Sequence, residues 1–447
     1  MKKTALLIIL FLPLGIFAQN ENKGIKFENG LDWEQIKTKA KAENKYIFVD
    51  CFASWCGPCK KMDKYTYPNE TLGVLVNSKF ISVKLQMDSC KDDIPEIQKW
   101  YAKANSIQKE CKVYSFPTFL FFSPEAVLVH KAVGYRDVKS FITLTENAAD
   151  PSKQFYVLLE NYWKGRKDYP TMLYLSKVAN DVGEKDIAEA ISLDFKISWI
   201  DKQSTEALLT KEIIDFFSSF ASMLHSCDTF FLLCYREGER VDSVVNQKGI
   251  AKLFVNYVIT KEEIWDKLFG DGKPNSNNPD WNSIYTNISI KYNHCFADSL
   301  LPDAKLRYYK FIKDWKLFAK LRDEQIKKKP PKSGDGLTSD AWGLNTDAWY
   351  VFLYCEDKMI LKKALNWSEM SIQIEDNLNV LVQYYDTKSN LMYKLGMVKE
   401  AIKLEKKALE VDISNAKKQG KRKGVFFEVY TTTIMKMKKR EPTWKTE

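Results

Sequence analysis

The sequence predicts an α/β domain at the N-terminus followed by an all-α region of helical-repeat character. From 26 to 148, short apolar runs rich in Ile, Val and Phe alternate with stretches of helical spacing, the pattern of strands and helices interleaved in one domain. Beyond Asp150-Pro151 the strand signals fade, and Leu, Lys, Glu, Tyr and Trp recur three and four residues apart. The chain has 447 residues, more than the roughly 250 to 300 at which one core usually splits, so two or three folding units are expected. An apolar fraction of 45% supplies their cores, and only 18 Gly and 14 Pro argue against a disordered or fibrous chain.

Within the α/β domain, 31–43 has the spacing of an amphipathic helix, 45–53 reads as a buried strand, and helical spacing runs from Cys56 through Met62. A second core strand is expected over 80–87. Two more, 119–122 and 127–133, flank the turn Ser123-Pro124-Glu125, and 137–148 closes the domain as a helix. Loops at 270–279 and 329–336 interrupt the helical region, and the second is the better boundary. The expected organisation is a signal peptide over 1–18, an α/β domain over 23–150, a helical domain over 151–328 and a helical-hairpin region over 337–440.

An internal echo supports hairpin repeats near the C-terminus. Lys363-Ala364-Leu365 through Ser371 aligns with Glu400-Ala401-Ile402 through Ala408 at an offset of 37, close to the tetratricopeptide period of about 34. Small residues fall where paired helices must approach closely. Gly183 to Ala188 repeats the spacing of Gly396 to Ala401.

Lys2 and Lys3, the apolar run that follows, and Ala18 before a polar stretch read as a secretory signal cut after Ala18. The run is shorter than the roughly 20 residues a spanning helix needs, and no later segment is long and apolar enough, so no stable membrane insertion is expected. The predicted location is periplasmic or secreted. The net charge of +10 sits largely in Lys327-Lys328-Lys329 and in 417–439. Without a reading motif this points to a solvated face, with no nucleic-acid partner. Nine cysteines in an oxidising compartment leave at least one thiol free or reactive, because structural bridges use them in pairs.

The pair that carries chemistry is in Trp55-Cys56-Gly57-Pro58-Cys59-Lys60. A Cys-x-x-Cys pair after a strand and at the start of a helix places the first sulfur where free amides and the helix dipole stabilise a thiolate. Cys56 is therefore the expected nucleophile, exposed at the helix start. Cys59, one turn on, resolves the mixed disulfide. Gly57 and Pro58 suit a tight first turn. A zinc site would need four ligands, and none of His130, His225 or His294 is near in sequence, so neither metal nor organic cofactor is expected.

These residues and several others resemble the thioredoxin superfamily over 26–148. The resemblance implies that Asp50, six residues before Cys56, is the buried acid that moves the proton of the resolving thiol. It implies that Lys84, in Val83-Lys84-Leu85-Gln86-Met87-Asp88, pairs with that acid. It makes Phe116-Pro117-Thr118 the cis-proline loop that seats an extended substrate segment beside Trp55, and puts Gly134 at the family's glycine after the last strand. The runs Cys59-Lys60-Lys61-Met62-Asp63 and Lys79-Phe80-Ile81-Ser82-Val83-Lys84 are similar to exported relatives, among them the periplasmic domain of the bacterial disulfide-reductant conductor. Between Asp88 and Phe116 the chain carries an insertion with Cys90 and Cys111, expected to form a structural disulfide bracing a helical flap. Cys51 is a further addition, and Cys227, Cys234, Cys295 and Cys355 lie in helical patterns where inert thiols are usual.

The resemblance implies an exported thiol-disulfide oxidoreductase, reductase more than oxidase, acting on exported proteins with disulfides or thiols. Its electrons would come from an unknown membrane or periplasmic donor. The alternative is a helical-repeat binding adaptor with an accessory redox domain.

Overall fold

The computed structural model describes residues 24–91, 93–334, 339–418 and 423–444; the expected signal segment lies outside them. The chain divides into two units between Lys248 and Gly249.

In the first unit, helix α1 (Trp33–Glu43) starts at Asp32, whose side chain accepts from the Gln35 amide while the Gln35 side chain accepts from the Asp32 amide. This reciprocal cap satisfies two amides that the helix leaves open. The helix stops at Asn44 in the left-handed region, and β1 (Tyr46–Phe52) follows. Helix α2 (Gly57–Lys61) continues directly into a π turn, Met62–Thr66. Next come α3 (Glu70–Lys79), β2 (Phe80–Gln86), the short α4 (Pro95–Gln98), α5 (Tyr101–Glu110), β3 (Thr118–Phe122), β4 (Leu128–Val133) and α6 (Val138–Ala148). The sheet order is β2-β1-β3-β4. Strands β1 and β2 are parallel, and the other pairs antiparallel.

Both faces of β1 are covered, which is why its sequence is almost wholly apolar. Ile47, Val49 and Cys51 enter one layer with Ile36, Ala40, Ile107 and Val113. Phe48 enters the other with Met62, Leu72, Val76, Phe119, Phe121 and Phe141. Each such buried side chain contributes about 1.5–3 kcal/mol, so the two layers fix β1 and thereby the point where it ends. The segment expected to be a helical flap belongs to this packing. Ala104, Ile107, Cys111 and Val113 lie in the first layer, and α5 covers the sheet.

Helices Phe155–Trp163, Tyr169–Asp181 and Lys185–Ser198 belong to the same unit. The Phe155 amide donates to His130 Nδ1 on β4 at 3.0 Å, and Lys112 pairs with Glu184 at 2.7 Å. The change from strands to helices near 150 thus falls inside one unit.

In the second unit, helices Asp340–Tyr354, Lys358–Gln373, Leu378–Lys394 and Val398–Lys418 pack as successive neighbours. Ala364, Ser371, Ala401 and Ala408, the small residues of the 37-residue echo, are all fully buried. Gly396 and Gly183 both adopt the left-handed conformation between their helices, where a side chain would be strained. Among the described residues, no helix is long and apolar enough to cross a membrane.

Candidate functional site

The site forms where β1 leaves the sheet. After Phe52 the chain turns, closed by a hydrogen bond from the Cys56 amide to the Ala53 carbonyl at 3.0 Å. Cys56 then caps α2, its sulfur accepting from the Cys59 amide at 3.1 Å. Pro58 occupies the first turn, where its missing amide hydrogen costs nothing. Cys56 and Cys59 are joined by a disulfide, with Cα atoms 5.3 Å apart.

Cys56 is not exposed in this oxidised form. It is 2% accessible and Cys59 4%, because the bond folds both sulfurs against Phe52, Ala53 and Phe116. The exposed residue is Trp55, at 70%. Its ring meets Phe116 edge-on at 5.9 Å. The Phe116-Pro117 bond is cis, and the Pro117 carbonyl accepts from the Gly134 amide at 2.9 Å. Phe116 thus packs on the cysteine pair, with the Trp55 ring against it and Pro117 next to it in the chain.

Asp50 lies inside the sheet next to this turn, 1% accessible, opposite Lys84 in the parallel register of β1 and β2. The Lys84 Nζ is 4.0 Å from Asp50 Oδ2 and also pairs with Asp63. Asp50 Oδ1 and the Tyr67 hydroxyl are buried without a well-formed hydrogen bond. Burial pushes the Asp50 carboxyl up to about 7. Lys84 and the Tyr67 hydroxyl pull against that rise, and Asp63 adds to it. The Tyr67 hydroxyl is itself pushed up by burial and by Asp50. Lys84 Nζ also lies over the Phe52 ring at 4.9 Å.

Cys90 and Cys111 do not form the expected disulfide; both are free thiols. Cys90 lies against the redox turn, its sulfur 3.2 Å from Ser54 Oγ, whereas Cys111 is packed in the sheet layer with Cys51. Different surroundings hold the two apart. Burial pushes the Cys111 thiol up to about 11 and the Cys234 thiol to about 12, and raises Cys51 and Cys355 as well, which makes them poor nucleophiles. Cys227 and Cys295 are exposed.

Tyr67, Asp63, Ser54 and Asp88 join the site without having been singled out in the sequence. Asp63 lies 21 residues from the lysine it pairs with, and no local spacing signals that contact.

Residues 25–150 match the family model Thioredox_DsbH, described as a protein of unknown function, DUF255. Among curated proteins the chain is similar to the thiol:disulfide interchange protein DsbD of Yersinia enterocolitica, at 27% identity over 152 residues, 32% of this chain and 24% of that protein. It is likewise similar to DsbD of Pseudoalteromonas atlantica, at 27% over 119 residues, 26% of this chain and 18% of that one. The chain thus spans about a quarter or less of the length of these relatives. Among solved structures, a putative disulphide-isomerase from Bacteroides thetaiotaomicron is 25% identical, covering 29% of this chain and 97% of its own, with a TM-score of 0.25. The oxidised C-terminal domain of Neisseria meningitidis DsbD is 18% identical, covering 26% and 96%, with a TM-score of 0.21.

Proposed function

We propose that the thioredoxin-like domain of this chain serves as an exported protein thiol-disulfide oxidoreductase, working as a reductase in the periplasm or outside the cell. The observation that carries the reading is the Cys56–Cys59 disulfide at the start of a helix, with a buried carboxyl on the adjoining strand.

In the reduced state the Cys56 thiolate attacks one sulfur of a client disulfide, and the other client sulfur leaves as a thiolate that takes its proton from solvent. Cys59, as its thiolate, then attacks the Cys56 sulfur of the mixed disulfide, releasing the second client sulfur as a thiolate, protonated by solvent, and leaving the Cys56–Cys59 bond. Two electrons pass to the client. Asp50, held near 7 by burial, takes the proton that Cys59 must lose, since a carboxyl of that acidity is half ionised at neutral pH. Trp55, Phe116 and Pro117 seat the client segment. A donor in the membrane or periplasm restores the dithiol. The Cys-Gly-Pro-Cys filling is that of reducing thioredoxins, whose couple lies at about −270 mV against about −120 mV for a strong oxidant.

The paired helices of the second unit extend this reading. Buried Ala364, Ser371, Ala401 and Ala408 support tetratricopeptide-like close packing, which presents concave surfaces for polypeptide partners. The test is insulin reduction by dithiothreitol with the whole chain. Acceleration that disappears in Cys56→Ser supports the enzyme reading, and equal rates with both proteins remove it.

A further inference from the structure

One carboxylate at the redox turn has no role in the exchange just described. Asp88 lies two residues past the end of β2, and Ser54 is two residues before Cys56. Asp88 Oδ1 accepts from the Ser54 amide at 2.9 Å, and Oδ2 accepts from the Ser54 hydroxyl at 2.5 Å. One side chain therefore holds both donors of one turn residue. The Met87 amide also donates to the Phe52 carbonyl at 2.8 Å, so the ladder between β1 and β2 runs without a break into this clamp.

The anchor is itself held. The Gln86 side chain donates to the Asp88 carbonyl at 3.1 Å and to Asp93 Oδ2 at 2.8 Å. That same Asp93 oxygen accepts from the Cys90 amide at 2.8 Å and from the Tyr101 hydroxyl. Gln86, Asp88, Cys90 and Asp93 are thus tied to one another and to Tyr101 at the start of α5. On the other side, the Cys56 amide bonds to the Ala53 carbonyl, and the Ser54 hydroxyl also lies 3.2 Å from Cys90 Sγ. Once the disulfide is reduced, the covalent brace between Cys56 and Cys59 is gone, and the Asp88 clamp is what still ties Ser54 to the sheet.

We propose that Asp88 is a positioning residue for thiol-disulfide exchange: by binding both donors of Ser54 it fixes the backbone that aims Trp55 and Cys56 at an incoming disulfide. The inference rests on the exchange reading above. A bidentate clamp on a partly exposed turn adds little to global stability, because the sheet layers dominate the fold. It matters instead for the in-line approach of three sulfur atoms, where small displacements of a reacting group slow the reaction.

The test uses the full chain as wild type, Asp88→Ala, Asp88→Asn and Ser54→Ala, with two readouts. The first is the rate constant for insulin reduction. The second is the pH midpoint for alkylation of reduced Cys56 by iodoacetamide, a small reagent that needs no docking geometry. Asp88→Ala is expected to slow insulin reduction about tenfold. Asp88→Asn keeps an acceptor for the Ser54 amide and should restore the rate to within about twofold. Ser54→Ala, which loses the hydroxyl's bond to Asp88 and its contact with Cys90 Sγ but keeps the amide bond, should fall between and guards against misfolding of the Asp88 variants. The alkylation midpoint should be the same in all four proteins. An Asp88→Ala rate equal to wild type overturns the proposal. So does Asp88→Asn as slow as Asp88→Ala with a shifted midpoint, which would make the role one of charge. A wild-type chain that fails to reduce insulin while a thioredoxin control succeeds removes the exchange reading itself, and the proposal with it.

Discussion

Asp50 and Lys84 face each other across the parallel pair β1 and β2, with carboxyl and ammonium 4.0 Å apart, yet burial outweighs the cation and the Asp50 carboxyl is pushed up to about 7. A carboxyl in water titrates at about 4. The folded protein therefore holds this proton more tightly than the unfolded chain does. The resulting stability is fully present below about pH 4 and is lost as pH rises through about 7.

Replacing Asp50 by Asn removes the cost of keeping that charge in the sheet. The variant should be more stable than wild type above pH 7, by on the order of a few kcal/mol, and the difference should vanish towards pH 4. Denaturant melts across pH measure this. The same variant should slow resolution of mixed disulfides at neutral pH and flatten the rise in rate near pH 7.

Lys84→Met removes the cation that restrains the Asp50 shift. The rise in exchange rate should move to higher pH, which a rate profile between pH 5 and 9 would reveal. An unmoved profile would mean that Asp63 neutralises Lys84 so fully that Asp50 does not feel it.

Those features of the site that neighbours in sequence carry were legible before the fold was known. Cys56, Cys59 and Pro58 share one turn, and Asp50 and Lys84 sit on strands whose apolar runs announce them. The Phe116-Pro117 cis bond likewise lies where the family resemblance put it. What could not be read depends on distant segments meeting. Tyr67 reaches Asp50, Asp63 reaches Lys84 and Asp88 reaches Ser54 only after the sheet has formed. The expected Cys90–Cys111 bridge failed for the same reason, since no local pattern signals that Cys90 turns to Ser54 while Cys111 points into the sheet layer. The types of the expected elements followed from apolar spacing, although α3 (Glu70–Lys79) was not among them, and the shift of strand 45–53 to Tyr46–Phe52 reflects hydrogen bonding that the pattern does not encode.

His130 accepts the Phe155 amide, and burial lowers its imidazole to about 4. An unfolded histidine titrates at about 6.5. The neutral ring's contribution is present above that value and is lost as pH falls towards 4. Hydrogen exchange at the Phe155 amide should therefore be well protected at pH 7, and its protection should decline below about pH 6 relative to neighbouring helix amides. His130→Phe should abolish the pH dependence.

Phe48 packs against Phe119, Phe121 and Phe141, beneath the strand that delivers the redox turn. Phe48→Ala should cost about 3–5 kcal/mol, measured by urea unfolding. In the second unit, Ala401→Leu should cost about 1–3 kcal/mol through overpacking, because Ala401 is fully buried between helices. An unchanged melt would argue against close packing there.

The most direct test of the central claim is a trap. With Cys59 replaced by Ser, exchange stops after the first step, so clients should remain joined to the chain through Cys56. Non-reducing gels of extracts from cells exporting the variant, followed by mass spectrometry of the linked peptides, should find client cysteines bonded to Cys56. Adducts absent altogether, or attached to Cys227 or Cys295 instead, would contradict it.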